Sequence, residues 1–261
     1  MAEVGARKID RIDVDGFTGA PRFAERDALR LNNLFRGIPT TEMLRTVLAE
    51  QMVGDVAIVS SFGAESAVLL HLVASVDPSV PVLFLETGKH FPETLAYRDA
   101  LVARLGLTDL RNLTPDAEVL GKKDESGLRW SYDPDGCCEI RKVIPLEKAM
   151  AGFDASITGR KAFQASTRNA LPRFEVDAGG RIKVNPLADW TKADLDAYFV
   201  EHDLPAHPLV AEGYLSIGCA PCTSKVKPGE DARSGRWVGW DKTECGIHAP
   251  VKDNDPDLPV F

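Results

Sequence analysis

The sequence predicts an α/β protein with a mostly parallel, twisted sheet and helices on both of its faces. Two short apolar runs, at 56–59 and 82–85, have the length and composition of buried strands. Each run is followed by a turn of small or polar residues and then by apolar residues at helical spacing. Strands that alternate with helices indicate crossover connections, which build parallel sheets covered on both faces.

The other elements are assigned in chain order. Residues 1–39 are polar and weakly periodic, which predicts an arm or a peripheral helix. Apolar side chains recur at helical spacing over 40–54, so a helix is expected to end near Gly54. Further along, a helix begins near Pro92, a strand covers 155–158, and Thr191 caps a late helix. Beyond Gly213 the pattern is typical of loops.

Length and charge limit the classes of function. The 261 residues are enough for one α/β domain with a small appendage, but not for two full domains. The net charge of −8 argues against nonspecific binding to nucleic acid or to an anionic membrane, since both need extended positive surface. No apolar segment resembles a signal peptide or a membrane span, so we expect a cytoplasmic protein.

The turn after the first predicted strand is a candidate anion site. It runs from Ser60 to Ser66 and lies where the carboxyl ends of parallel strands meet their ligands. Small residues there allow close backbone approach, and the N–H groups of the following helix can hold phosphate or sulfate oxygens. A plain strand–helix turn with a serine cap is the alternative. No Walker A lysine is present, which excludes a P-loop of the Gly-Lys-Ser type.

Five cysteines suggest four ligands and one reactive thiol. Cys137 and Cys138 are adjacent, and Cys219 and Cys222 form a Cys-x-x-Cys pair about eighty residues later. Four thiolates suit either zinc or an iron–sulfur cluster. Adjacent cysteines favour the cluster, because their side chains diverge and a cube of iron atoms offers separated corners. The fifth thiol, Cys245, is left unassigned by this arithmetic.

Cys245 is a candidate nucleophile. A thiol is mostly protonated at neutral pH, but nearby cations favour the thiolate. Lys242, His248, Arg233 and Arg236 are near enough in sequence to act in this way. A single cysteine near the end of a chain is often incidental, so its assignment depends on the rest of the site.

Basic residues near the predicted loops are a further feature. Guanidinium groups match phosphate and sulfate oxygens with two parallel donors. In an acidic protein such residues can also be ordinary solvated surface charges. The residues in question are Lys142, Arg160, Lys161, Arg168, Arg233 and Arg236. By contrast, His71, His90, His202 and His207 lack metal-ligand spacing, and we expect core or surface roles for them. Trp237 and Trp240 are predicted to pack on the cysteine loop.

The cysteine pair, the Cys-x-x-Cys and the Glu-Cys-Gly-Ile-His segment at 244–248 together resemble the adenylyl-sulfate and phosphoadenylyl-sulfate reductases of sulfate assimilation. The resemblance extends from about Thr40 to His248. It implies a fold of the adenine nucleotide alpha-hydrolase-like, or ATP pyrophosphatase-like, kind. Members with all four additional cysteines hold a [4Fe-4S] cluster and act on the phosphosulfate without a 3′-phosphate. The resemblance therefore selects the cluster over zinc.

The resemblance also implies roles for individual residues. The nucleotide-binding turn would comprise Ser60, Ser61, Phe62, Gly63 and Glu65, and the next ligand loop Leu85, Glu86, Thr87 and Gly88. Lys142 would lie between cluster and substrate. The phosphosulfate would be contacted by Arg160, Arg233 and Arg236. The chain departs from the family pattern at Glu86, usually Asp, at Lys89, usually Arg, and at 161–164, usually more basic.

The implied activity is reduction of adenosine 5′-phosphosulfate to sulfite and AMP through a Cys245 S-sulfonate, with His248 and Lys142 assisting and thioredoxin or glutaredoxin as reductant. The alternatives are a reductase of 3′-phosphoadenosine 5′-phosphosulfate and an ATP pyrophosphatase-type sulfur-transfer enzyme. A non-enzymatic metal-binding module is a third reading. The expected organisation is an arm or peripheral helix at 1–39, a nucleotide- and cluster-binding domain at 40–230, and a mobile C-terminal segment at 231–261. Whether the chain forms a homo-oligomer is left open.

Overall fold

The structure is a computed structural model that describes residues 22–164 and 171–247. Within these residues the strands are β1 Val56–Ser60, β2 Val82–Leu85, β3 Leu110–Leu113, β4 Ala155–Thr158, β5 Phe174–Val176 and β6 Ile182–Val184. The α-helices are α1 Glu25–Leu34, α2 Thr40–Ala49, α3 Ser66–Ala74, α4 Pro92–Leu105, α5 Ala117–Lys123, α6 Pro134–Cys138, α7 Ile144–Met150 and α8 Lys192–Glu201. A π-helical turn, Glu139–Val143, joins α6 to α7. Short 3₁₀ turns lie at Arg129–Ser131, Ala162–Gln164, Pro208–Val210 and Ala220–Cys222.

The strands form one sheet in the order β3-β2-β1-β4-β6-β5. All neighbouring pairs are parallel except β5 with β6, which is antiparallel at the edge. The chain runs outward from β1 through β2 to β3 and then returns to β4 on the other side of β1. Such a reversal leaves a crevice beyond the carboxyl ends of β1 and β4, where ligands bind in open α/β sheets. The predicted fold class is confirmed.

Three strands had no clear sequence signal. Strand β3 has two exposed polar residues at its centre, Arg111 and Asn112, because it is the outer strand of the sheet. Strands β5 and β6 are three residues each, too short for an alternating pattern to stand out. The helix expected to end near Gly54 ends at Ala49, since Gln51 and Gly54 adopt positive φ angles that terminate it.

Helix α1 belongs to the core, whereas the sequence led us to expect an arm or a peripheral helix. Its residues Ala28 and Leu31 are buried, as is Phe35 just after it. The Phe35 ring stacks on that of Phe174 in β5 at 5.6 Å between centroids. The Asn32 side chain also bonds both backbone groups of Phe174, so α1 covers the antiparallel edge of the sheet. No helix in the described part of the chain has the length and apolar composition needed to cross a bilayer.

A buried histidine makes stability depend on pH. The His207 side chain is 1% exposed; its Nδ1 accepts from the Leu209 N–H and its Nε2 lies 3.0 Å from Thr94 Oγ1. This pattern fixes the neutral ring, and burial lowers its pKa from 6.5 to about 4. Below pH 6.5 the His207 ring therefore becomes protonated in the unfolded chain, whereas in the folded chain it stays neutral until about pH 4.

We expect the free energy of unfolding to fall by about 3 kcal/mol from this group as the pH is lowered between these two values. Urea unfolding at several pH values measures the effect. The variant His207→Gln keeps a donor for Thr94 but does not titrate, so its stability should fall less steeply over the same interval. If the free energy of unfolding fell equally steeply with pH in both proteins, His207 would not be the source of the pH dependence.

Candidate active site

A cavity of about 280 Å³ opens beyond the carboxyl ends of β1 and β4. Its walls come from the turn after β1, the end of β2, the π-helical turn, the end of β4, the loop at 215–218 and the segment 231–247. Cationic side chains converge there although the whole chain carries a net charge of −8. These side chains are Lys142, Arg160, Lys161, Arg233 and Arg236. Three carboxylates, Glu65, Asp231 and Glu244, also line the cavity, so the five cations leave it with an excess of positive charge in an otherwise acidic protein.

The turn after β1 is held by a buried aromatic side chain. Phe62 is fully buried and packs edge-on against Phe84, with 5.5 Å between ring centroids. Its backbone has φ +48°, and its N–H donates to Ser60 Oγ at 3.2 Å. Phe62 thus anchors the turn from within the core, while Ser60, Ser61 and Gly63 line the cavity. A Cβ on Gly63 would lie 3.1 Å from the Ile217 carbonyl oxygen, which accounts for glycine there.

The same turn leads directly into the amino end of α3. Glu65 occupies the cap position, but its side chain makes no capping hydrogen bond to the helix. Its carboxylate instead accepts from Lys161 Nζ at 2.9 Å. Backbone N–H groups in the first turn of a helix carry partial positive charge and bind anions when no side chain caps them. The cavity therefore offers backbone donors as well as cationic side chains to an anionic ligand.

Arg160 and Arg236 are fixed by neighbouring polar groups. Arg160 follows β4 and donates to Asn185 Oδ1 at 3.2 Å, and it also pairs with Glu175. Arg236 Nε donates to the Cys222 carbonyl oxygen at 3.2 Å. Its guanidinium packs closely on Gly218, where a Cβ would collide with it. Both cations are thus held in place before any ligand binds.

Cys245, the candidate nucleophile, lines this cavity together with the cations. The segment that carries it is fastened by Arg233, which donates to the Thr243 carbonyl oxygen at 2.5 Å and lies 3.4 Å from a Glu244 carboxylate oxygen. Lys242, also predicted to favour the thiolate, instead contacts Asp135 on α6. His248 lies outside the described residues, as do Arg168 and the tail from Ala249.

A second, smaller cavity lies behind Lys142. All four cysteines predicted as ligands line it, and all are free thiols. The wall between the two cavities includes Lys142 and Trp237, which line both of them. No group of three or more His, Cys, Asp or Glu side chains among the described residues is arranged to hold a single metal ion. The members of the thiol set are Cys137, Cys138, Cys219 and Cys222.

Lys142 is placed by the π-helical turn, a widened turn that often marks functional positions. Burial on its own lowers the pKa of this lysine, but negative charge on Cys219 and Cys245 outweighs burial and raises it. Burial likewise opposes ionisation of Cys219, yet Lys142 and the Thr87 hydroxyl lower its pKa below that of an ordinary thiol. One protonated lysine therefore faces a thiol of each cavity.

The other three cysteines respond mainly to burial. Burial raises the pKa of Cys138 to about 12 and also raises the pKa values of Cys137 and Cys222. Neutral thiols are thus favoured at these positions until a metal centre displaces their protons. Trp237 lines both cavities, and its buried indole Nε1 has no hydrogen-bond partner among the described residues.

A buried ion pair supports the cysteine cavity. The Asp124 side chain is fully buried and accepts from Arg141 Nη2 at 2.6 Å, and Arg141 Nη1 donates to the Thr87 carbonyl oxygen at 2.7 Å. Burial alone would raise the pKa of Asp124, but hydrogen bonds from Arg141 and from the Arg129 N–H lower it. Arg141 also lines the cysteine cavity. The pair thus joins the loop after β2 to the helix that carries Cys137.

We expect Asp124→Asn to lower the free energy of unfolding by about 3–5 kcal/mol, because it leaves the Arg141 charge buried and unpaired. Urea unfolding measures the change. Glu118→Gln is the matched control, since its partner Lys122 is exposed and such a pair contributes little. Equal stability of Asp124→Asn and Glu118→Gln would contradict the structural role of the buried pair.

The structure separates the residues of the predicted second ligand loop. Leu85 lines the larger cavity, which contains Cys245, whereas Thr87 and Gly88 are not among its lining residues. The Thr87 hydroxyl lies 3.3 Å from Cys219 Sγ, and the nearest side-chain atom to an added Cβ on Gly88 belongs to Arg141. These two residues therefore lie beside Cys219 and Arg141, which line the cysteine cavity, and not in the cavity that contains Cys245.

Sequence reasoning missed His90 and misjudged Trp240. His90 was expected to be structural, but it lines the cavity beside Leu85, and its Nε2 lies 2.8 Å from the Leu85 carbonyl oxygen. Its position two residues before Pro92, at the end of a strand-to-helix loop, was the available signal. Trp237 packs on the cysteine loop as predicted, whereas Trp240 is 42% exposed.

The mostly parallel six-stranded sheet, whose strand order reverses beside the candidate site, is the architecture of an adenine nucleotide alpha-hydrolase-like protein. A solved phosphoadenylyl-sulfate reductase from Candida auris, in complex with phosphate, has a TM-score of 0.66 and 28% identity, covering 80% of this chain and 100% of that one. A Candida glabrata FMN adenylyltransferase mutant, at 13% identity and TM-score 0.52, covers 81% of this chain and 79% of its own, and it shares the fold alone.

The chain belongs to the phosphoadenosine phosphosulfate reductase domain family, which matches residues 55–225. Among curated relatives, the adenosine 5′-phosphosulfate reductase of Mesorhizobium japonicum is 53% identical over 221 residues, covering 85% of this chain and 87% of the relative. The protein of the same name from Chelativorans sp. is 58% identical over 197 residues, covering 76% and 80%. The family indicated by the cysteine motifs is thereby confirmed.

Proposed function

We propose that this protein reduces adenosine 5′-phosphosulfate to sulfite and AMP in assimilatory sulfate reduction. The observation that carries the proposal is the placement of Cys245 in a cationic cavity at the nucleotide end of the sheet, with a cavity of four thiols directly behind Lys142. Relatives that carry the name adenosine 5′-phosphosulfate reductase support this substrate. Free thiols also suit a reducing cytoplasm.

In the first step the Cys245 thiolate attacks the sulfur atom of the bound phosphosulfate. A bond forms between Cys245 Sγ and that sulfur, and the bond from sulfur to the phosphate oxygen breaks, so AMP leaves with the electron pair. The product on the enzyme is an S-sulfonate. Thiolate and phosphosulfate are both anionic, so Lys142, Arg233 and Arg236 offset their repulsion and stabilise charge on the departing phosphate.

In the second step a thioredoxin or glutaredoxin thiolate attacks Cys245 Sγ. Sulfite leaves with the electron pair of the sulfur–sulfur bond, and a mixed disulfide remains between the two proteins. The second redoxin thiol then attacks the redoxin sulfur of the mixed disulfide. This step releases Cys245 as a thiol and leaves the redoxin with an internal disulfide. The two electrons of the reduction therefore come from the redoxin dithiol.

We propose that Cys137, Cys138, Cys219 and Cys222, which line one small cavity, would hold a [4Fe-4S] cluster. Cationic side chains border this cavity, and the indole Nε1 of Trp237, which also lines it, has no hydrogen-bond partner among the described residues. When bound, the cluster supplies negative charge and rigidity next to Lys142. The chain's own residues carry the reaction: the turn at Ser60 and the arginines bind the anion, and Lys142 orients the phosphosulfate towards Cys245.

Mass spectrometry of the protein mixed with adenosine 5′-phosphosulfate, without reductant, tests the proposal. One sulfonate, located on Cys245 by peptide mapping, is expected together with one equivalent of AMP. Adding reduced thioredoxin should then release sulfite and regenerate the thiol. Absence of the adduct, or its location on another cysteine, would overturn the proposed function. A brown iron–sulfur chromophore in anaerobically purified protein tests the cluster separately.

A second candidate is reduction of the 3′-phosphorylated nucleotide, because the similar Candida auris structure is a phosphoadenylyl-sulfate reductase. Arg160 and Lys161 add cationic charge to the cavity, but both also contact carboxylates, Glu175 and Glu65 respectively. We expect the nucleotide without the 3′-phosphate to have the higher kcat/KM. Higher kcat/KM with the 3′-phosphorylated nucleotide would assign the second activity. An ATP pyrophosphatase-type enzyme would instead release pyrophosphate from ATP.

A further inference from the structure

The contact between Arg233 and the segment 243–245 goes beyond substrate binding. One guanidinium nitrogen of Arg233, Nη2, donates to the Thr243 carbonyl oxygen at 2.5 Å and approaches the Glu244 carboxylate at 3.4 Å. Both side chains of the pair are partly buried, 22% exposed for Arg233 and 30% for Glu244. The bonded residues immediately precede Cys245. The position of the thiol is thus tied to that of one arginine.

The backbone of Arg233 is held within a local turn. Its backbone N–H donates to Asp231 Oδ1 at 2.7 Å, and its carbonyl oxygen accepts from the Arg236 backbone N–H at 2.9 Å. The turn that follows is joined to the cysteine loop, since the Trp237 N–H donates to the Cys222 carbonyl oxygen at 3.2 Å. A continuous set of hydrogen bonds therefore runs from the cysteine loop through Arg233 to the residue before the thiol.

We infer that Glu244 is a positioning residue: through Arg233 it holds Cys245 over the cavity for attack on the sulfuryl group and releases it for reduction. The inference rests on the proposed two-step function. Sulfonation needs the thiol inside the cavity, whereas a redoxin must reach the same sulfur from outside. A side-chain ion pair of moderate strength is suited to both, because it aligns the thiol and yet opens at small cost.

The same guanidinium lines the substrate cavity. An arginine presents several N–H donors in a planar fork, so Arg233 can contact a bound anion and the 243–244 segment together. Occupation of the cavity and closure of the segment are therefore coupled through one side chain. Glu244 acts only through its contact with Arg233 in this arrangement, whereas Arg233 itself is expected to contact the substrate. Glu244 is therefore the residue to replace in a test of the inference.

Glu244→Gln is the test, with Asp241→Asn as matched control. Asp241 is an exposed acid of the same segment, so both variants remove one negative charge. We expect Glu244→Gln to slow single-turnover sulfonation of Cys245 by about fivefold to tenfold. Release of sulfite from the preformed S-sulfonate by thioredoxin should be unchanged or faster. Alkylation of Cys245 by iodoacetamide, at the alkaline plateau of its pH profile, should also be faster. Asp241→Asn should match the unmodified protein in all three.

Combination with Arg233→Ala separates the pair from other effects. In that background Glu244→Gln should cause no further loss of sulfonation, because the contact with Arg233, through which we infer that Glu244 acts, is already removed. The inference is overturned if Glu244→Gln sulfonates at the original rate, if it slows both steps equally, or if its effect persists without Arg233. Failure of the unmodified protein to form the adduct would instead overturn the proposed function.

Discussion

Replacement of Cys245 by serine is expected to abolish sulfite formation, with a loss of at least about a thousandfold. A serine hydroxyl at this position lies in the same cationic cavity but is a far weaker nucleophile than a thiolate at neutral pH. The four remaining thiols do not substitute for it, since they line the separate cavity behind Lys142. Sulfite release with excess thioredoxin measures the loss.

The replacement of Cys245 by serine is expected to remove the catalytic activity without changing ligand binding, metal content or fold. Cys245→Ser should bind AMP as tightly as the unmodified protein, because the turn at Ser60 and the arginines are unchanged. It should also keep the iron content and far-ultraviolet circular dichroism of the unmodified protein, since Cys245 is not among the residues that line the cysteine cavity. If the serine variant still released sulfite at the original rate, the nucleophile would have to be sought elsewhere.

The inner part of the fold was predictable from the sequence because its signals are local. The runs at 56–59 and 82–85 are apolar on both faces, as central parallel strands must be, and the turn at Ser60 follows one of them directly. The edge strands gave no such signal. Helix α1 was expected to be peripheral because the first 39 residues are polar and weakly periodic, and it is the burial of Ala28 and Leu31 and the packing of Phe35 on Phe174 that show it belongs to the core.

The site was predictable where residue type determines chemistry and unpredictable where contacts do. Cysteines and arginines suggest metal ligands and anion sites by their chemical identity, so these residues could be chosen as candidates from the sequence, whereas their arrangement in two adjacent cavities is seen only in the structure. The role of Asp124 was not, because nothing in the sequence links it to Arg141, 17 positions away. Likewise Glu244 shows no function until its carboxylate is seen beside Arg233. Such roles arise from long-range pairing that a linear sequence does not display.

The Lys142 side chain separates the two cavities, and its removal should be the most damaging change that leaves the nucleophile intact. We expect Lys142→Met to slow single-turnover sulfonation by about a hundredfold or more, since a fixed cation beside developing negative charge contributes on this scale. The methionine side chain is of similar length but carries no charge. Quenched-flow mass spectrometry of the Cys245 adduct measures the rate, with Lys192→Met, an exposed lysine on α8, as control.

A second measurement distinguishes a direct effect of the Lys142 charge on the reaction from an indirect effect through loss of metal. Lys142 also favours ionisation of Cys219, so its loss should weaken metal retention as well as slow the reaction. If the slow sulfonation were only a result of metal loss, the rate per iron-loaded enzyme would return to that of the unmodified protein. We expect it to remain at least about tenfold lower after this correction, because the Lys142 charge also interacts with the Cys245 thiolate and, in the proposed reaction, stabilises the negative charge that develops on the phosphosulfate. A full recovery per loaded enzyme would assign Lys142 to the cysteine cavity alone.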